Sequence, residues 1–167
     1  LNITTNNAVI QDDNDSSPFV LGSTNLNTNF FGGGGANIVL NAAATNVSGN
    51  VTGRFGQLNA NAGTGTLTYS ENTLVNVGNV TANGGNIRSV NSDIVINGNV
   101  TASSGLVLDA RSGAISQGAT GVVNLGSTLT VNSSNSFGTN LSNTSNVFGG
   151  NVTIIINGNN ILVASST

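Results

Sequence analysis

Cysteine, histidine and lysine are all missing from this chain of 167 residues, and proline occurs once, as Pro18. Without cysteine there is neither a disulfide framework nor a thiolate metal site. Without histidine, lysine or cysteine the common nucleophile–base pairs of covalent catalysis cannot be assembled. Charge is scarce too: 5% of residues carry it, and Arg54, Arg88 and Arg111 face six acids for a net charge of −3. Nucleic-acid binding needs a basic stripe that displaces phosphate counterions, and attachment to an anionic membrane surface needs a polybasic segment. Neither is present. No run reaches the roughly 18 apolar residues of a spanning helix; the most apolar stretch, Val152 to Ile156, is strand-sized.

What the chain does have is Asn, Gly, Ser and Thr in abundance, together with 37% hydrophobic residues. That apolar fraction separates it from disordered polar segments, which bury too little to offset chain entropy. The length fits one domain with a real core, and no composition break argues for two. The chain starts at Leu1 with no basic segment ahead of an apolar one, so the expectation is a processed product or a piece of a longer protein.

The pentad Gly78-Asn-Val-Thr-Ala82 recurs unchanged as Gly98-Asn-Val-Thr-Ala102, at an offset of 20 residues. A period this short in a chain rich in Thr, Val, Ile, Gly and Asn predicts a stacked solenoid of strands and turns. Gly85 and Gly105, then Ile87 and Val107, keep the same offset, which extends the expected register. In that register Asn79 lies over Asn99, Val80 over Val100 and Thr81 over Thr101, a ladder that satisfies polar groups between parallel rungs. Gly-Asn-Val-Thr also occurs at 49–52 and 150–153, at irregular intervals, so coil length is expected to vary.

No stretch has helical periodicity; short alternating strands dominate. Leu67 and Tyr69, Leu106, Leu108 and Ala110, and Leu129 and Val131 are expected inside, with Thr66, Thr68, Thr128, Thr130 and Asn132 facing water. Turns are expected at Asn83-Gly84-Gly85, Asn97-Gly98 and Asn157-Gly158, where Asn and Gly accept positive φ at least cost. The same dipeptides suit hairpins, so an antiparallel β-sandwich is the alternative fold. Residues 1–45 fit the repeat least well and are read as an irregular or capping β segment, with residues 46–167 as continuous solenoid coils. Eight coils would make a rod of about 40 Å. Val152, Ile154 and Ile156, with Ile161 and Val163, belong to strands apolar on both faces, which want cover on two sides and form a possible assembly strand pair.

Gly32-Gly-Gly-Gly-Ala-Asn37-Ile-Val-Leu40 matches one calcium-binding nonapeptide, but singly and with Asn where the pattern wants Asp. Asp13-Asn14-Asp15 opens like a calcium loop, yet Pro18 stands where glycine is needed. A metal site is therefore not expected, nor any cofactor. Arg88, Asp93, Asp109 and Arg111 are the charges nearest in register, and on a 20-residue coil they do not converge; glycoside hydrolysis needs two carboxylates about one bond. Sequons at Asn2, Asn46, Asn50, Asn79, Asn99, Asn132, Asn140, Asn143 and Asn151 follow from composition, and Thr-X-Thr runs are too sporadic for an ice-binding face.

Residues 75–156 resemble the repeat region of filamentous-haemagglutinin-type exoproteins, the passengers of two-partner secretion and related autotransporters. The resembling stretches are Gly78-Asn-Val-Thr-Ala-Asn-Gly-Gly-Asn-Ile87, Gly105-Leu-Val-Leu-Asp-Ala-Arg-Ser-Gly-Ala-Ile-Ser-Gln117 and Ser127-Thr-Leu-Thr-Val-Asn132. The resemblance implies a right-handed parallel β-helix exported to the cell surface or beyond, acting in adhesion or matrix building without catalysis. Expected partners are glycans or proteins of a host surface or matrix, or further copies of the chain in a homo-polymer; a filament or pilus-like subunit joined by strand addition is the alternative.

Overall fold

The structure, a computed structural model, describes residues 2–4, 10–11, 21–23, 25–27, 38–41, 55–71, 73–133, 138–156 and 160–166, with side chains from residue 57 onward. Among these residues every regular element is a strand. Five short strands come first: β1 (Asn2–Thr4), β2 (Ile10–Gln11), β3 (Leu21–Ser23), β4 (Asn25–Asn27) and β5 (Ile38–Asn41). Longer ones follow as β6 (Phe55–Asn61), β7 (Thr66–Glu71), β8 (Val75–Ala82) and β9 (Gly84–Ser89). A triplet then repeats: β10 (Ile94–Ile96), β11 (Asn99–Ala102) and β12 (Leu106–Ala110); β13 (Ile115–Gln117), β14 (Val122–Leu125) and β15 (Leu129–Ser133). The next comprises β16 (Thr139–Leu141), β17 (Val147–Phe148) and β18 (Val152–Ile156), and β19 (Ile161–Val163) stacks on β16.

All pairings among the described residues are parallel, which rules out the antiparallel sandwich and makes the fold a β-solenoid. It has about five turns of about 21 residues, where eight were expected, so at about 4.8 Å per rung the repeat spans roughly 24 Å. One sheet of seven strands runs β18-β15-β12-β9-β7-β5-β2. The other, of twelve, covers two faces: β8 is long enough to pair with β10 through residues 75–77 and with β11 through residues 80–82. Strands of residues 1–45 lie in the same sheets, but there the chain travels further per rung, 28 residues from Ile10 to Ile38 and 29 from Ile38 to Leu67.

The core is a set of columns, because in-register parallel strands place like faces over one another. Tyr69, Ile87, Leu108, Val131 and Ile154 form one column, and Ala60, Val80, Val100 and Val123 another. The first four of the Tyr69 column and all of the second are buried. The alternation expected from sequence holds at Leu67 and Tyr69, at Leu106, Leu108 and Ala110, and at Leu129 and Val131.

The 20-residue register needs correction beyond the pentad. Val80 lies opposite Val100 at an offset of 20, but Ile87 lies opposite Leu108 and Gly85 opposite Leu106, an offset of 21. Between paired positions the later corner is one residue longer: two residues separate Ala82 from Gly85, and three separate Ala102 from Leu106. Without that slip Val107 would stack over Ile87 and every side chain of β12 would face the wrong way. The copy of Gly-Asn-Val-Thr at 150–153 is no equivalent of the pentads: it enters β18, stacked on β15, and thus lies on another face. The copy at 49–52 lies outside the described residues.

Corners rely less on positive φ than expected. Gly85 does adopt φ 146°, and a Cβ there would sit 1.9 Å from the Leu67 carbonyl oxygen. Gly98 has no positive φ; it is needed because the neighbouring rung leaves no room, a Cβ falling 2.5 Å from the Gly78 carbonyl carbon. Of the other expected turns, Asn157-Gly158 lies outside the described residues.

One inward column carries a flaw. In the series Val75, Ile94, Ile115, Thr139, Ile161, the Thr139 hydroxyl is buried and has no hydrogen-bond partner. Replacing it with an isosteric methyl removes an unpaired polar group. Urea denaturation followed by circular dichroism is expected to show Thr139→Val stabilised by about 1 kcal/mol and Leu108→Ala destabilised by about 2–5 kcal/mol.

Candidate functional site

On the outer face of β8 and β11 the expected ladder residues meet. Val80 and Thr81 lie opposite Val100 and Thr101, Val80 and Val100 inward, Thr81 and Thr101 exposed. Asn79 Oδ1 accepts from the Asn99 backbone N–H at 3.0 Å. One coil earlier Asn59 Oδ1 accepts from the Asn79 N–H at 2.9 Å, so the column includes a residue outside the pentad pattern. Only its offset of 20 from Asn79 could have revealed it. Beyond Asn99 the column ends, since Val122 occupies the next rung. The adjacent outward column runs Asn61, Thr81, Thr101, Asn124. Asn59 and Asn79 thus each hold the next rung through the side-chain carbonyl, which stiffens a face of hydroxyls and amides.

The one-residue slip has a second consequence: three of the four charges expected to stay apart converge. Arg88 lies directly opposite Asp109 in the register of β9 and β12. Arg111 Nε donates to Asp109 Oδ2 at 3.2 Å, and Arg88 Nε lies 3.5 Å from the same oxygen, an ion pair without hydrogen-bond geometry. Asp109 points outward yet is only 7% exposed, covered by the two arginine side chains. Asp93 stands apart, accepting from the Ala114 N–H at 2.7 Å.

Two buried polar clusters were not anticipated. Inside the coil the Tyr69 hydroxyl donates to Glu71 Oε2, and the Thr73 hydroxyl to Glu71 Oε1 at 3.0 Å. Glu71 heads an inward column with Ser89, Ala110 and Ser133, where Ser89 and Ser133 donate to the backbone carbonyls of Thr73 and Gly113. The second cluster centres on Asn146, wholly buried. Its Oδ1 accepts from the Val123 N–H at 2.9 Å and from Gln117 Nε2 at 2.7 Å. Its Nδ2 lies within hydrogen-bond distance of Gln117 Oε1, Leu141 O and Ala164 O. Asn146 therefore ties three successive rungs together. Gln117, stacked over Ile96 in an otherwise apolar column, is made tolerable by this partner.

Over that network lies a shallow cleft of about 390 Å³, lined by Gln117, Gly118, Ala119, Ser142, Asn143 and Thr144. Gln117 and Asn143 are already bonded to Gly121 O, so the cleft is first of all the outer surface of a structural amide cluster.

The possible assembly strands occupy the carboxy-terminal rung. Val152 and Ile154 stack on Leu129 and Val131 and pack against the core, Ile156 stacks on Ser133, and Ile161 and Val163 stack on Thr139 and Leu141. Ile155, Ile161 and Leu162 are 61%, 53% and 56% exposed. Of the two calcium motifs weighed in the sequence, Asp13-Asn14-Asp15 and residues 32–37 lie outside the described residues. Among the described residues no three His, Cys, Asp or Glu gather as metal ligands, and no helix is long and apolar enough to cross a membrane.

Truncating Asn146 would leave several buried groups unpaired at once, whereas exposed Ser145 has no such role. Asn146→Ala is expected to cost about 3 kcal/mol or more and Ser145→Ala less than about 0.5 kcal/mol, measured as the shift in urea unfolding. Comparison of the chain with family models, with curated proteins and with solved structures finds no match.

Proposed function

We propose that the chain is a noncatalytic structural and adhesive β-solenoid, placed outside the cell or at its surface, that presents stacked polar rungs to glycans or proteins of a host surface or matrix. The observation that carries this reading is the outward repetition on β6, β8 and β11: Asn59, Asn79 and Asn99 in one column, Thr81 and Thr101 in the next, fixed at the rung spacing. Such a face offers many equivalent weak hydrogen bonds, and presentation in several copies turns weak contacts into firm attachment. The resemblance to filamentous-haemagglutinin-type exoproteins supports the same reading. The charge arrangement supports the noncatalytic part: Asp109 is a single carboxylate held between two arginines, and Glu71 is turned into the core, neither forming the facing pair that glycoside hydrolysis needs.

Clustering the chain on a tetravalent scaffold is expected to raise its apparent affinity for matrix-coated or cell surfaces by about 100-fold over the single chain. A Thr81→Glu, Thr101→Glu double variant should lose most of that binding while its circular dichroism stays unchanged. Equal binding by wild type and double variant would sink the reading.

A second reading, a self-assembling filament, is supported by the exposed Ile155, Ile161 and Leu162 and by the sheet order, in which β1 and β19 close opposite ends of one parallel path. Joining those edges between copies is a head-to-tail contact that does not close on itself. Sedimentation velocity at rising concentration is expected to show growing polymers that Ile155→Lys with Leu162→Lys abolishes. A single monomer species up to millimolar concentration excludes it.

A further inference from the structure

We infer that Arg88 and Arg111, braced by Asp109, form a subsite for one carboxylate of an otherwise neutral glycan. As an adhesive contact it rests on the display reading above; as a binding site it stands on the following geometry. Asp109 engages only the Nε atom of each arginine, and the terminal nitrogens of both donate to no protein group among the described residues. A guanidinium presents its N–H groups in a flat fork that matches two carboxylate oxygens. Two such forks are therefore held at their inner edge and, among the described residues, unused at their outer one. The Arg111 side chain is 59% exposed and that of Arg88 29%, so both forks are reachable from solvent.

The charge selects the ligand. Two cations against one carboxylate leave a surplus of one positive charge, and these are the only cations among the described residues. A protein of net charge −3 repels a dense polyanion, whereas an isolated carboxylate matches the local surplus. The surroundings point to a sugar. Along the outward columns of this sheet Ser70 and Asn132 flank the charged pair, and Thr68, Asn86, Val107 and Thr130 lie in the next column. All but Val107 are neutral donors and acceptors, the groups that sugar hydroxyls bind. Two of the three buried unpaired polar atoms among the described residues sit here, Arg88 Nε and Asn86 Oδ1. Arg88 Nε makes no hydrogen bond to the Asp109 carboxylate 3.5 Å away, so the guanidinium can turn its fork toward a ligand carboxylate without breaking one.

The test is a titration of the ¹⁵N-labelled full chain with sodium glucuronate, glucose and sodium acetate, read at the arginine Nε–H signals. Glucuronate is expected to shift Arg88 and Arg111 saturably, glucose not at all, and acetate with about tenfold weaker affinity. Arg111→Gln, at an exposed position that leaves the core intact, is expected to weaken glucuronate binding about tenfold, and Arg111→Lys to restore only part of it. Equal response to glucose, acetate as tight as glucuronate, tighter binding of a Glu-rich peptide, or an unaffected Arg111→Gln variant would each overturn the inference. A chain that adheres without a glucuronate response loses only this subsite; one that binds glucuronate but does not adhere keeps it and loses the display reading.

Discussion

Parallel backbone pairing in register is the constraint from which the rest follows. Each strand hydrogen-bonds only to equivalent strands one coil away, so whatever a rung places inward must be acceptable to the rungs above and below it. That is why Val80 meets Val100 and Ile87 meets Leu108, and why a corner such as Gly98 cannot carry a side chain where the backbone of Gly78 presses against it. Few aromatics are needed, because a narrow coil is filled by Val, Ile and Leu columns rather than by large rings.

Polar residues inside the coil obey the same constraint by closing their hydrogen bonds locally. Asn146 replaces an apolar side chain after Val123 and in exchange links β14, β16 and the backbone after β19. Glu71 enters the interior only with Tyr69 and Thr73 as donors, and the serines below it bind carbonyls. Thr139 is the exception, a hydroxyl in an apolar column with nothing to bond. Outside, the same stacking turns single residues into columns, so a face acquires its chemistry by repetition rather than by a deep pocket.

Function, on this view, is distributed along the outer faces, and the places that break the repetition stand out. The Arg88, Asp109 and Arg111 cluster is one, because charge is so scarce elsewhere; the apolar carboxy-terminal rung is another. The first lies on the seven-stranded sheet and the second spans both sheets, with β18 at the edge of one and β19 at the end of the other, while the Asn and Thr columns decorate the twelve-stranded sheet.

The repeated pentad by itself determined that the chain is a stack of strands and that Asn79, Val80 and Thr81 have counterparts at Asn99, Val100 and Thr101, since identical local residues impose identical local pairing. Alternation within single strands determined which side chains point inward, because a strand's faces are set by its own period of two. Coil length was not legible, because corners add or drop a residue with no mark in the pattern; the slip before Leu106 moved the register from 20 to 21 and carried Asp109 onto Arg88. Asn146 was equally hidden, being one Asn among many until three rungs closed around it. Which residues meet across coils depends on the summed length of every corner between them, and only the assembled solenoid fixes that sum.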